Sequence, residues 1–117
     1  MTNPQKAKGS AYERSIVNYL REAGFNVDRT RAGWSDDRGD VHGLSSPNGT
    51  PFIIECKNHT RLNLSGWITE LLTEIGNAGG VAVVLVHKKR GTTDAADQYA
   101  TLPFGMLVQL LKEAGYK

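Results

Sequence analysis

The chain has one cysteine, Cys56, so no disulfide can form within it. That excludes a small disulfide-stapled scaffold and fits a reducing, cytoplasmic (intracellular) setting. No apolar run approaches the roughly 20 residues of a membrane span, so no membrane partner is expected. The opening residues, Met1 to Lys6, lack the apolar segment of a signal peptide. Repeats and low-complexity segments are also absent. Net charge is scarce: 14 basic residues against 12 acidic ones leave +2. That is too mild to announce nucleic acid by itself.

What remains describes an ordinary globular protein. A chain of 117 residues, 39% hydrophobic and 22% charged, can bury a real core. A single domain over residues 1–117 is expected, with residues 1–9 mobile. Residues 1–38 hold seven basic side chains against five acids, and the remainder is balanced at seven each.

The pattern of elements is mixed α/β. Ser10 to Ala23 reads as a helix. Ser10-Ala11-Tyr12-Glu13 has the capping-box form, Ile16, Val17 and Leu20 make the stripe, and Gly24 stops it. Phe25 to Arg31 reads as a strand, Gly33 to Gly39 as a polar loop, and Asp40 to Leu44 as a short strand. Phe52 to Lys57 is a third strand. Ser65 to Ala78 is a helix with Trp67, Ile68, Leu71, Leu72 and Ile75 in one stripe, ended by Gly79-Gly80. Val81 to Val86 is apolar throughout, as a strand covered on both faces should be. Gln98 to Leu102 is a candidate edge strand. Pro103 opens a last helix with Phe104, Leu107, Val108 and Leu111 expected inward.

The densest chemistry lies at the end of the third strand, in Glu55-Cys56-Lys57, fifteen residues after Asp40. Side chains alternate along a strand, so Glu55 and Lys57 share a face and Cys56 takes the other. A carboxylate and an ammonium side by side, with a second acid on the preceding strand, suit a metal-dependent phosphodiesterase.

The order helix, three strands, helix, strand, short strand, helix, with Asp40 and Glu55-Cys56-Lys57 so placed, resembles the PD-(D/E)xK nucleases. The opening sharpens this. Lys8-Gly9-Ser10-Ala11-Tyr12-Glu13-Arg14, Ile16-Val17 and Leu20-Arg21-Glu22-Ala23-Gly24-Phe25 look like the first helix of the archaeal-type Holliday junction resolvases. Gly39 stands where that family usually has a proline, which does no chemistry. Beyond Val86 no specific resemblance is visible. The resemblance implies a restriction-endonuclease-like core: a mixed central sheet of four or five strands flanked by helices, ordered α-β-β-β-α-β-(β)-α.

It also implies a chemistry. Hard divalent ions choose oxygen ligands. Asp40, Glu55 and the backbone carbonyl of Cys56 would hold Mg²⁺, with Mn²⁺ able to substitute. The ion activates water and neutralises charge at phosphorus. Lys57 would orient the nucleophile or stabilise developing charge. Glu13 would be an outer acid, reaching the metal directly or through water. Candidate DNA contacts are Lys6, Lys8, Ser10 and Arg14 near the first helix, Arg29 and Arg31 on the first strand, and Trp34 as a stacking or interface residue.

Each residue also has a bland reading. Glu13 serves equally as a capping acid, but it extends the Ile16, Val17, Leu20 stripe and so faces the domain. Asp40 after Gly39 suits a turn. Glu55 and Lys57 suit a surface ion pair, but the strand entering them is Phe-Ile-Ile. Cys56 is a small core residue. His42 shares the face of Asp40, His59 lies in a loop, and Glu70 and Glu74 form a solvated helix face.

The expected function is a metal-dependent endonuclease acting on four-way or related branched DNA. Symmetric resolution needs two nicks, which points to a homodimer. The alternatives are a flap, end or duplex nuclease of the same fold, and a non-cutting DNA-binding module.

Overall fold

In the computed structural model, residues 4–30, 40–75 and 82–117 are described, with side chains from residue 8 onward. The expected loop Gly33–Gly39 with Trp34, the residue Arg31 and the helix stop at Gly79-Gly80 lie outside them. So does the side chain of Lys6.

Helix α1 spans Pro4–Glu22, six residues longer at its start than the sequence suggests. Ser10 therefore lies inside the helix and caps nothing. Nothing between Gln5 and Lys8 breaks a helix, and Pro4 suits a first helical position. The C-terminus is as expected. Gly24 takes φ 101°, its N–H bonds the Arg21 carbonyl at 3.0 Å, and the Phe25 N–H reaches Leu20 O at 3.1 Å. This Schellman closure needs a left-handed residue, which glycine adopts freely.

Strand β1 is only Asp28–Arg29. The expected strand from Phe25 fails because its main chain is already engaged. The Phe25 N–H closes α1, and Arg21 Nε donates to Val27 O at 2.9 Å. Strand β2 is Val41–His42. It stops at Gly43, whose φ is 116° and whose hydrogen faces the Asn26 carbonyl; a Cβ there would lie 2.7 Å from that oxygen. Strand β3, Phe52–Lys57, matches expectation. Helix α2 is Leu64–Ile75, β4 is Ala82–His87, β5 is Tyr99–Thr101 and α3 is Phe104–Glu113. A single 3₁₀ turn, Ala95–Asp97, precedes β5.

The five strands form one mixed sheet in the order β1-β2-β3-β4-β5. Only β3 and β4 are parallel, in the register Phe52↔Ala82 to Lys57↔His87, with α2 between them in sequence as a crossover needs. This is the expected α/β architecture. Alternation along β3 divides the core. Ile54 packs with Tyr12, Ile16, Val17, Val27, Val41 and Val84 on the α1 side. Ile53 packs with Leu71 and Val83 on the α2 side, against Ile75 and Met106.

Helix α3 turns differently from the expected stripe. Phe104 is 76% exposed, Leu107 and Leu111 are exposed too, and Met106 is the residue that meets the core. The helix is apolar nearly all round, with Phe104, Met106, Leu107, Val108, Leu110 and Leu111 in eight residues. Its phase cannot be read from hydropathy. No helix of the described residues is long and apolar enough to cross a membrane.

Candidate active site

Strand β3 positions the centre. Cys56 joins the α1-side core with Phe52 and Ile54, leaving Glu55 and Lys57 on the face of Ile53. Burial raises the Cys56 thiol far above its ordinary pKa, and the charges of Asp40, Glu13 and Glu55 add to this. The side chain is a poor nucleophile in that state.

Asp40 sits one residue before β2. Its N–H donates to Ile54 O at 2.8 Å. Its side chain then takes the next rung of the ladder, because Cys56 N–H donates to Asp40 Oδ2 at 2.6 Å. The carboxylate is thereby fixed against the Glu55–Cys56 peptide. A charged acceptor makes such a bond short and strong.

Glu55 lies close enough to Asp40 for each to perturb the other. Burial raises the Glu55 pKa most, then the charge and hydrogen bond of Asp40, while Lys57 lowers it. Asp40 is also raised, mainly by burial and further by the charge of Glu13, against the Cys56 N–H that lowers it. Two half-buried carboxylates, both raised chiefly by burial and in contact with each other, want a proton or a cation between them.

Glu13 projects from α1 toward the same place. Its Oε2 accepts from Arg29 Nη2 at 2.8 Å and Nε at 3.2 Å. The pair is mostly sheltered, with side chains 32% and 24% exposed. Asp28, the neighbour of Arg29, holds the other end of the strand to α1 through Arg21 Nη2 at 3.0 Å.

A cavity of about 350 Å³ joins these groups, lined among others by Lys8, Glu13, Asp40, Glu55, Lys57 and His59. The four residues singled out from sequence as catalytic therefore border one space. They come from α1, the residue before β2, and β3. Lys8 lines the cavity too and is exposed, as is Arg14. Ser10 is half-buried, and Arg29 is engaged with Glu13.

The donors suit a hard divalent ion in kind: carboxylate and carbonyl oxygens, with a like-charged pair awaiting a countercharge. Among the described residues, no group of three or more acids, histidines or cysteines is close enough to hold an ion alone. An ion such as Mg²⁺ takes only one or two carboxylates from a protein and completes its shell with water and substrate phosphate.

The family model of the archaeal Holliday junction resolvases matches residues 4–100. The chain belongs to the archaeal Holliday junction resolvase family. The match covers α1, both short strands, β3, α2, β4 and most of β5, so it extends past Val86, where the sequence resemblance faded. Membership indicates a nuclease of the resolvase class.

Sequence reasoning missed two neighbours of the site. Trp67 was placed in the α2 core stripe, yet Lys57 Nζ lies 5.8 Å from its ring centroid. His59 meets the same ring, with centroids 5.4 Å apart. A topological signal existed: the first turn of a crossover helix stands above the end of the strand it leaves.

Proposed function

We propose that this protein is a divalent-metal-dependent endonuclease that hydrolyses phosphodiester bonds in four-way or related branched DNA, acting inside the cell as a homodimer. The observation that carries this reading is the Asp40–Glu55 pair, fixed by the 2.6 Å bond to Cys56 N–H and bordered by Lys57 in a family of junction resolvases.

Asp40, Glu55 and the carbonyl of Cys56 are the residues that would hold Mg²⁺ or Mn²⁺. When bound, the ion supplies Lewis acidity at phosphorus and a more acidic water. The chain's own groups do the rest. Asp40 and Glu55 stay ionised once a cation balances them. Lys57, at the end of β3, offers its ammonium to the developing negative charge or orients the attacking water. Glu13 acts as the outer acid, and Arg29 holds its carboxylate in place.

DNA reaches the cavity across a basic rim. Lys6, Lys8, Ser10 and Arg14 on α1 are the proposed phosphate contacts, with Arg29 on β1 and Arg31 and Trp34 following it in sequence. Such contacts position a duplex arm without reading sequence. Two copies related by a two-fold axis would place two nicks symmetrically across a junction.

The test is a substrate panel: four-way junction, flap, splayed arm and plain duplex, each with Mg²⁺. Junction cutting well above the others supports the reading. Flap cutting far above junction cutting would replace it with the flap-nuclease alternative.

A further inference from the structure

A catalytic lysine must be held. Its side chain has several rotatable bonds to order, and a free ammonium at a strand end samples many positions. Among the described residues, Lys57 Nζ has no hydrogen bond and no ion pair. What it has is the charge of Glu55 and the ring of Trp67, 5.8 Å from Nζ to centroid.

Trp67 is itself fixed. It lies in the first turn of α2, and its main-chain N–H donates to Asn63 O at 2.9 Å. The side chain of Asn63 caps the helix, with Oδ1 accepting from Gly66 N–H at 3.3 Å. The cap is tight: a Cβ on Gly66 would lie 2.5 Å from Asn63 Nδ2. Glycine at this position lets the cap close over the turn that bears Trp67. On another side, His59 in the loop after β3 meets the indole at 5.4 Å between centroids, tilted by 37°. Both His59 and Lys57 border the cavity that holds Asp40 and Glu55.

We infer that Trp67 is a positioning residue: its ring, set by the Asn63 cap and His59, holds the Lys57 ammonium in the cavity for phosphodiester hydrolysis. The inference rests on the nuclease reading above. It adds a residue from α2 to a site otherwise built from α1, the β2 entry and β3. The attraction is that of a cation for the negative face of an aromatic ring, which any aromatic side chain retains in part and an aliphatic one loses.

The experiment compares Trp67→Leu and Trp67→Phe with wild type by steady-state cutting, junction affinity and thermal unfolding. Trp67→Leu should lower kcat about tenfold, with KM and junction Kd within about twofold of wild type. Trp67→Phe should recover most of the rate. Unchanged kcat in Trp67→Leu overturns the inference. So does a loss that Phe does not restore, or a rise in KM at constant kcat, which would make Trp67 a DNA contact. A second arm needs no activity. Trp34 and Trp67 are the two tryptophans, so a Trp34→Phe protein emits from Trp67 alone. Adding Lys57→Met should change that emission, and no change would overturn the contact. A wild type inert on every DNA with divalent metal would instead sink the nuclease reading, and the emission arm would then judge the contact alone.

Discussion

The main-chain N–H of Cys56 donates to Asp40 Oδ2 at 2.6 Å, so the acid that the chemistry needs also finishes the β2–β3 ladder. Asp40 therefore has two jobs that substitution can separate. In Asp40→Asn the side-chain carbonyl can still accept from Cys56, and the anion is gone. Cutting should fall by about two to three orders of magnitude, as for loss of a key charged group. Folding and junction binding should persist. Asp40→Ala loses the acceptor as well and should be less stable than Asp40→Asn by about 1–3 kcal/mol. Urea titration of both variants checks this, and normal cutting by Asp40→Asn would show that the site is elsewhere.

Stability should depend on pH in a direction set by the same pair. Folding raises Asp40 to about 6 and Glu55 to about 8, above their ordinary carboxylate values. The folded state then binds more protons than the unfolded state between about pH 4 and pH 8, so stability falls as pH rises through that window. Without divalent metal, the melting temperature should drop from pH 5 to pH 8. Adding Mg²⁺ or Mn²⁺ at pH 8 should restore part of the loss. The slope should shrink in Asp40→Asn. A metal-free melting temperature that rises across this range would contradict the arrangement.

The Glu13–Arg29 pair ties β1 to α1 beside the cavity, with both side chains about a third exposed or less. Arg29→Met keeps much of the bulk and leaves Glu13 without its partner. The expected cost is about 1–2 kcal/mol, between the values for exposed and buried pairs. Arg29→Lys should recover only part, because the guanidinium donates through both Nε and Nη2. Chemical denaturation of the three proteins tests this, and equal midpoints would mean that the pair contributes nothing.

Leu71 tests the core packing beneath α2, on the same face of the sheet as Glu55 and Lys57. It is 2% exposed and packs on Ile53 and Val83. Leu71→Ala should destabilise by about 2–5 kcal/mol through lost burial and a cavity. At a temperature where the variant is still folded, its cutting rate per folded molecule should be near wild type. A large rate loss there would mean that the α2 side of the core sets the site geometry more tightly than the contacts suggest.

How much was legible in sequence depended on how each element is held. Strand β3 could be read to the residue, because six consecutive strand positions pair with β4 and bury Ile53 and Ile54. Its alternation also placed Glu55, Cys56 and Lys57 on the right faces. The β1 and β2 boundaries could not be read. They are set by Phe25 N–H turning back to Leu20 and by Gly43 against Asn26, which are tertiary contacts invisible to periodicity. The start of α1 was misplaced because Ser10 and Glu13 mimic a capping box inside a longer helix. Glu13 still faced the site, since the stripe of Ile16 and Val17 was right. Helix α3 misled for the opposite reason: with so many apolar positions, nothing marked Met106 as the inward one. The link from Lys57 to Trp67 lay 10 residues away in sequence but across a strand end and a helix start, so only the fold brought it into view.

The most direct test of the account is cutting of a four-way junction by the wild-type protein in Mg²⁺, in Mn²⁺ and in EDTA, with both strands followed. Two symmetric nicks that need either metal and vanish in EDTA are the expected result. Cutting that persists in EDTA, or a junction left intact in both metals, would contradict it.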